Sequence, residues 1–398
     1  MMYAPDTISR FLWSIGKRAE ADFYLALFRA ETKERFATIA VDGPVLTHAL
    51  DALVVDLRFL SELGLIPVIV LGLLDADDVI KHASSLALEL ARVDVSCTVI
   101  EHPTPAEAAE AARAAARDGI IPILPLASPP SPASGGRPLA DRFEMVRVYL
   151  DAIQTRKLIF LQRRGGVLLD GRAVSLVELN ADLLTLVTSK DVSRKQKTIL
   201  NGIAYLIDRL THRCTFSMTS PIELLRELFT TGGSGTMVRR AARVERYDSY
   251  GSLDTARLVS MLESAFERPL SEGFLERAVS RIYVEEHYRG AALVLETPLG
   301  AYMSKFAVGR EAQGEGLGKD VWTALTQDYA NVFWRSRTKN AINAWYTKQC
   351  DGMIRTGVWQ VFWRGVPPER IPEAIAFALD QPKDFPRIEG ESTTSLGG

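Results

Sequence analysis

Four side chains in the last third of this 398-residue chain, Lys305, Arg335, Asn340 and Tyr346, are of types that act on carboxylates, amines and leaving groups. A guanidinium grips a carboxylate through two parallel N–H bonds, and an ammonium holds one as a point charge. Arg335 at a strand end and Lys305 in a neighbouring strand would therefore converge on one anionic ligand. Asn340 offers both donor and acceptor to an amide or amine. Tyr346, on the helix that follows, carries a phenol O–H able to protonate a thiolate leaving group. Each type also has an ordinary use. Arg335 and Arg337 serve equally as surface ion-pair partners, Lys305 as a strand-edge charge, Asn340 as a turn residue and Tyr346, beside Trp345, as helix packing.

The elements that must position these groups begin with Ala301–Val308, whose apolar and β-branched character predicts a strand. It breaks at Gly309 and runs through Gln313-Gly314-Glu315-Gly316-Leu317-Gly318-Lys319 into a helical pattern from Asp320. Strand, glycine-rich turn and helix start together make an anion site. The first N–H groups of a helix lack partners and sit at its positive dipole end, and glycines let the backbone approach a phosphate. The same glycines could be no more than a flexible cap. A Walker loop requires Gly-Lys followed by Ser or Thr, whereas Asp320 follows Lys319, and a dinucleotide fingerprint requires another order of glycines.

The order Gln313, Gly316, Gly318 resembles the Q/R-x-x-G-x-G/A pyrophosphate loop of the GNAT acetyltransferases. That resemblance implies acetyl-CoA as co-substrate, held by Phe306, Ala307 and Val308 of the strand and by Gln313, Gly314, Glu315, Gly316, Leu317, Gly318 and Lys319 of the loop. Downstream, Phe333-Trp334-Arg335-Ser336-Arg337 followed by Asn340, Asn343, Trp345 and Tyr346 resembles the FWRSR…N..N.WY signature. That signature belongs to the acetyltransferase domain of the vertebrate-like and bifunctional N-acetylglutamate synthases, and the match extends to Trp359–Trp363. The resemblance implies that Lys305, Arg335 and Asn340 bind glutamate or its acetylated product and that Tyr346 is the general acid, with Asn340 also counted in the catalytic set. No candidate base stands out.

Composition bounds the rest. The length fits two or three domains, and 47% hydrophobic residues suffice for their cores. A formal net charge of −2 gives no global field toward nucleic acid or anionic membrane. Cys97, Cys214 and Cys350 are too dispersed for a zinc pattern and read as thiols of a reducing cytoplasm. The five histidines show no metal or triad spacing, and no metal is expected. The apolar run Leu63–Leu74 is too short to span a bilayer. No charged start followed by an apolar stretch marks a secretory signal. Arg10, Trp13, Lys17, Phe23 and Phe28 predict an amphipathic helix that contacts another subunit or caps a domain.

The first part alternates strands and helices: strands at Arg35–Leu46, Ile66–Leu71, Ser96–Ile100, Ile120–Leu124, Lys157–Gln162 and Cys214–Met218, with helices between them. This predicts an α/β domain with a mainly parallel sheet. Pro125–Pro138 reads as a surface loop, and Gly232–Thr236 as a flexible break. The layout resembles the amino-acid kinase fold, and Ser220–Arg240 (SPIELLRELFTTGGSGTMVRR) resembles the C-terminal segment of its acetylglutamate kinase branch. Where that branch has Lys-x-Gly-Gly at the end of its first strand, this chain has Ala40-Val41-Asp42-Gly43-Pro44. The second glycine loop has become Leu71-Gly72-Leu73-Leu74-Asp75. Asp141 stands roughly at the family's organising Asp, and Ser193–Lys197 keeps basic residues. An Asp near a transferred phosphoryl adds like charge and Pro44 lacks an N–H donor, so the kinase chemistry is expected to be lost.

After a linker at Arg239–Tyr250, helices at Leu253–Glu263 and Ser271–Arg281 and strands at Ile282–Val284 and Ala291–Leu295 lead into Ala301–Val308. The expectation is therefore an amino-acid kinase-like domain over 1–240 and a GNAT α+β domain over 241–398. Together they would make N-acetyl-L-glutamate from acetyl-CoA and L-glutamate, the first step of arginine biosynthesis, in a cytoplasmic tetramer. By resemblance, arginine would regulate it near Ser220–Thr236. A bifunctional synthase–kinase and a non-catalytic arginine sensor with a relict acetyl-CoA pocket are the rival readings.

Overall fold

Thr38-Ile39-Ala40-Val41 is buried along its whole length, as a central strand covered on both faces must be. It forms β1 (Thr38–Val41) in the computed structural model, which describes residues 14, 18–30, 35–75, 78–101, 104–126, 138–230, 233–309, 312, 315–340, 342–382 and 385. The chain divides into two units, Met1–Arg240 and Ala241–Gly398.

In the first unit the strands after β1 are β2 (Val68–Leu71), β3 (Cys97–Val99), β4 (Ile121–Pro125), β5 (Lys157–Leu161), the hairpin of β6 (Leu168–Leu169) and β7 (Arg172–Ala173), β8 (Leu176–Glu178), β9 (Thr215–Thr219) and β10 (Thr236–Arg239). Eight of them form a sheet in the order β3-β4-β2-β1-β5-β9-β10-β8. All its pairings are parallel except that of β10 with β9. The helices are α1 (Arg18–Ala30), α2 (Gly43–His48), α3 (Leu50–Glu62), α4 (Val79–Arg92), α5 (Pro105–Arg117), α6 (Pro138–Ile153), α7 (Leu179–Thr188), α8 (Arg194–Ile207) and α9 (Leu224–Phe229).

Local chemistry sets several of these boundaries. Thr104 caps α5 by accepting the Glu107 N–H, and Ala108, Ala109, Ala112 and Ala116 form its buried stripe. Ser193 and Gln196 close a reciprocal capping box at the start of α8. Within α8, a Cβ on Gly202 would stand 2.0 Å from the Phe143 ring, so glycine is what lets α6 approach.

The second unit carries β11 (Val244–Tyr247), β12 (Arg281–Glu285), β13 (Gly290–Thr297), β14 (Gly300–Val308), β15 (Val332–Arg337), β16 (Gly352–Thr356) and β17 (Trp359–Arg364). They form one sheet in the order β11-β12-β13-β14-β15-β17-β16. Its helices are α10 (Thr255–Phe266), α11 (Leu317–Asp328), α12 (Asn343–Gln349) and α13 (Ile371–Asp380). One face packs on α11 and α12 through Met303, Phe306, Trp322, Trp334 and Tyr346. On the opposite face, α10 covers Leu293 and Ala307, and α13 covers Tyr302 and Phe333. β14 and β15 run parallel but pair only at Ala301–Val332 and Tyr302–Phe333. Beyond those two pairs they diverge and open a wedge in the sheet.

Several sequence expectations need correction. Ser271–Arg281 is not an α-helix: only a 3-10 turn forms at Phe274–Glu276, and Arg281 already belongs to β12. Pro269 and Gly273, which takes positive φ, interrupt the helical pattern there. The supposed linker Arg239–Tyr250 contains β11, paired antiparallel with β12. Leu176–Glu178 is a strand rather than the start of a helical run, and the break at Gly232–Thr236 ends in β10. β16 and α13 had no counterpart in the sequence reading. Most of the Pro125–Pro138 loop, and Arg10, Trp13 and Lys17, lie outside the described residues. Among the described residues no helix is long and apolar enough to cross a membrane.

Candidate functional site

The wedge between β14 and β15 forms a cleft of about 180 Å³. Lys305, Phe306, Arg335, Asn340 and Tyr346 all line it. Its wall thus brings together the residues that sequence spacing singled out on a strand, a second strand, a turn and a helix.

They arrive from different faces of the sheet. Along β13 and β14 the register shifts, with Leu293 opposite Lys305 and Val294 opposite Met303. Ser304 is the extra residue of this β-bulge. Strict alternation would have put Met303 and Lys305 on one face. Instead Met303 and Phe306 pack toward α11 and α12, and Lys305 shares the face of Ala307 and α10. The Lys305 ammonium lies 5.5 Å from the Phe274 ring centre and 5.6 Å from that of Phe385, and it donates to the Ser304 carbonyl.

Arg335 occupies the same face as Lys305, because Trp334 and Ser336 take the other side of β15. Its guanidinium donates to the carbonyls of Leu379, at 3.1 Å, and Pro382, at 2.7 Å. It also stacks 4.2 Å from the Trp359 ring centre, and Arg337 approaches the same ring at 5.0 Å. Two of the five guanidinium N–H groups are thereby engaged, leaving three without a hydrogen-bond partner among the described residues.

Tyr346 comes from α12 on the opposite face. Phe306, Trp334 and Phe362 surround its ring at 6.1, 5.3 and 5.4 Å. Burial pushes its phenol pKa well up, so the hydroxyl stays protonated. Asn340 is exposed at the rim, and its Oδ1 accepts the Ile342 N–H at 3.3 Å, a turn contact leading into α12. Trp334 Nε1 and Ser336 Oγ are buried without a hydrogen-bond partner among the described residues, and both residues line the cleft.

Sequence reasoning missed Arg268, Phe266, Ser304 and Phe385, and gave Trp359, inside the matched Trp359–Trp363 segment, only a packing role. Arg268 follows α10 and Phe385 follows α13, at positions whose neighbours carry no motif. With Lys305, Arg335 and Arg337, Arg268 brings the cationic residues on the cleft wall to four, and no carboxylate is among the described residues that line it.

The loop after β14 is anchored at both ends. The Gly309 N–H donates to the Arg289 carbonyl. Glu315 pairs with Arg289 at 2.6 Å, and Arg289 pairs in turn with buried Glu285. Gly316 takes φ +79° immediately before α11, so the helix opens with the N–H groups of Leu317 and Gly318. Lys319 is exposed, and Leu317 is buried. Gln313 and Gly314 lie outside the described residues. Ala307 and Val308 complete the strand on the side where β15 has already diverged. Glu285, Glu286 and His287 are close enough to share a metal, but Glu285 already serves Arg289 and accepts the His287 and Arg289 N–H groups.

In the first unit, the ends of β1 and β2 carry Asp42 and Asp75. Lys195, from the first turn of α8, bridges them, with its Nζ 3.0 Å from Asp42 Oδ1. Burial lifts the Asp42 carboxyl above its ordinary range even with Lys195 against it. Asp141 is exposed on α6, while its neighbour Arg142 donates to the Gly72 carbonyl. On the other side of the sheet, buried Glu227 of α9 accepts the Ser234 and Gly235 N–H groups and pairs with Lys157.

Residues 245–380 match the family model of the N-acetyltransferase domain of N-acetylglutamate synthase. The chain is 32% identical to an acetylglutamate kinase of Xylella fastidiosa, over 91% of this chain and 98% of the relative. It is also 32% identical to the mitochondrial N-acetylglutamate synthase of Homo sapiens, over 90% of this chain and 75% of the relative. Among solved structures, N-acetylglutamate synthase from Neisseria gonorrhoeae, complexed with coenzyme A and N-acetyl-glutamate, aligns with a TM-score of 0.52 at 16% identity, over 87% of this chain and 98% of that one. This last likeness is one of fold.

Proposed function

The chain belongs to the family of vertebrate-like and bifunctional N-acetylglutamate synthases, and from that premise we propose that it transfers the acetyl group of acetyl-CoA to the amine of L-glutamate. The observation that carries this reading is the cleft wall: four cations, no carboxylate among the described lining residues, and one buried phenol. An amino acid with two carboxylates is the ligand such a wall suits.

Lys305 and the remaining N–H groups of Arg335 orient the two carboxylates of glutamate, with Arg268 and Arg337 adding to the field. Asn340 reaches the amine or the new amide. The diverging edge of β14, at Phe306–Val308, pairs with the amide-bearing arm of acetyl-CoA in the manner of an added strand. The backbone of the loop up to Lys319, with the opening N–H groups of α11, holds the pyrophosphate. The amine attacks the thioester carbonyl directly, the C–N bond forms and the C–S bond breaks. The amine proton passes to solvent, and Tyr346 gives its phenolic proton to the departing sulfur and regains one from water. The described lining residues include no Cys or His that would favour an acyl-enzyme.

The first unit serves as scaffold and regulatory module. Its former phosphate crevice is filled by the Asp42–Lys195–Asp75 cluster, two carboxylates sharing one ammonium, which repels a nucleoside triphosphate. Arginine would bind near Ser220–Thr236, where Glu227 holds the Ser234–Gly235 turn. The Neisseria synthase of similar fold has also been solved with coenzyme A and L-arginine. Assembly as a tetramer and residence in the cytoplasm complete the reading, although the human relative is mitochondrial by name. One observation favours a bifunctional synthase–kinase: the Xylella relative carries the kinase name at the same identity.

The test is a CoA-release assay with glutamate on the purified protein, run beside Arg335→Ala and Tyr346→Phe and beside an assay of ATP-dependent phosphorylation of N-acetylglutamate. Release by the wild type that falls in both variants, without phosphorylation, supports the proposal. Phosphorylation would establish the bifunctional reading. Arginine binding by calorimetry without turnover of any amino acid would establish the sensor.

A further inference from the structure

Arg335 holds Leu379 and Pro382, and Phe385, beyond α13, lines the cleft. Leu379 lies in the last turn of α13, where carbonyls lack intrahelical partners and a cation complements the helix dipole. Arg335 supplies that cation and extends the tether to the Pro382 carbonyl. Three residues on, Phe385 forms part of the cleft wall. Its ring centre lies 5.0 Å from that of Phe266. The Arg268 guanidinium and the Lys305 ammonium each lie 5.6 Å from the Phe385 ring centre. One aromatic ring thus lies beside two cations, and its quadrupole attracts both.

We propose that Phe385, beyond α13, is the selectivity wall of the acceptor cleft, setting both the depth of the cleft and the placement of Arg268 and Lys305, with Arg335 anchoring the chain at Leu379 and Pro382. This inference rests on the acetyl-transfer reading above and deepens it. The acidic acceptor lies against the Phe385 ring, so its length is read there. Removing the ring leaves room for one more methylene and loosens Lys305, which grips a carboxylate, and Arg268, which adds to the field there. Arg335 then has a double part, facing the substrate and holding the wall that measures it.

The experiment uses the full chain with Phe385→Ala and Phe385→Leu, the second keeping apolar bulk without a ring quadrupole. Steady-state kinetics with L-glutamate and with 2-aminoadipate, one methylene longer, are paired with calorimetric binding of both and with thermal unfolding. Expected for Phe385→Ala is a KM for glutamate raised about 10-fold, and a 2-aminoadipate to glutamate ratio of kcat/KM raised about 10-fold, the scale of one methylene in a pocket. The KM for acetyl-CoA and the unfolding midpoint stay at wild-type values, and Phe385→Leu shows the same loss of glutamate affinity with less gain on the longer acid. Wild-type glutamate KM and wild-type selectivity in both variants would overturn the selectivity wall while leaving the acetyl-transfer reading intact. A wild type that neither binds nor acetylates glutamate would overturn both.

Discussion

Lys305 and Tyr346 meet in one cleft from opposite faces of the same sheet. The ammonium comes past Phe274 on the α10 side, and the phenol comes from α12, packed on Trp334. The arrangement depends on the bulge at Ser304 and on the early parting of β14 from β15. An acyl group lying in that parting is open to an amine from one side and to a proton donor from the other, the geometry that direct transfer requires.

Replacing Tyr346 by Phe keeps the ring among Phe306, Trp334 and Phe362 and removes only the proton. The expected outcome is a kcat lower by about 100-fold, the scale of lost general acid catalysis, with KM values for both substrates close to wild type. Because burial raises the phenol pKa, the wild type should show no fall in kcat from loss of this proton up to about pH 10, the ordinary tyrosine range. A pH–rate profile of the two proteins checks both points.

Gly316 and Gly318 separate stability from ligand binding. Gly316 sits at φ +79°, so Gly316→Ala strains the backbone by about 1–2 kcal/mol and should lower the unfolding midpoint. At Gly318 a Cβ would meet Val308 Cγ2 at 3.5 Å and Phe306 Cε1 at 3.7 Å, ordinary contacts. Gly318→Ala should therefore leave stability unchanged. Any rise in the KM for acetyl-CoA in Gly318→Ala reports crowding of the bound pyrophosphate, and thermal unfolding beside kinetics separates the two effects.

Lys195→Met tests the Asp42–Lys195–Asp75 cluster. Without the ammonium, Asp42, only 9% exposed, faces Asp75 across a partly desolvated gap. Protonation relieves the clash at low pH, so the loss of stability should be smallest at low pH and grow as pH rises through the raised Asp42 pKa. Melting curves at pH 5 and pH 8 read this out. Adding Asp42→Asn to Lys195→Met should restore most of the loss at pH 8.

Asp56 on α3 is buried, its Oδ2 has no hydrogen-bond partner among the described residues, and desolvation lifts its pKa to about 7. The unfolded chain releases this proton near pH 4, so between about pH 4 and 7 the folded state holds a proton that the unfolded state does not. Stability therefore falls as pH rises through that window. Asp56→Asn should leave stability at pH 4 nearly unchanged and raise it at pH 8, by an amount on the order of 1–3 kcal/mol, measured by denaturant titration.

Much of the fold was legible where the signal is local. The apolar runs of β1, β2 and β5 flanked by helical stripes announced a parallel sheet, because burial on both faces removes the polar alternation. Gly316 before a helix announced a turn needing positive φ. The helix expected at Ser271–Arg281 did not form because Gly273 ends the regular pattern, and β11 escaped notice because Val244–Tyr247 reads as a charged linker until β12 is placed beside it.

What the sequence by itself determined is chemical kind and order: a basic strand residue, a guanidinium, a carboxamide and a phenol, spaced around a glycine-rich turn. Tertiary structure decided which of them share a space. The face that Lys305 takes follows from the pairing register of β13 and β14. The carbonyls that Arg335 holds lie more than forty positions along the chain, and Arg268 and Phe385, from distant segments, meet only once α10 and α13 cover one face. Register and long-range closure are energies of pairs far apart in sequence, so no local pattern of residues encodes them.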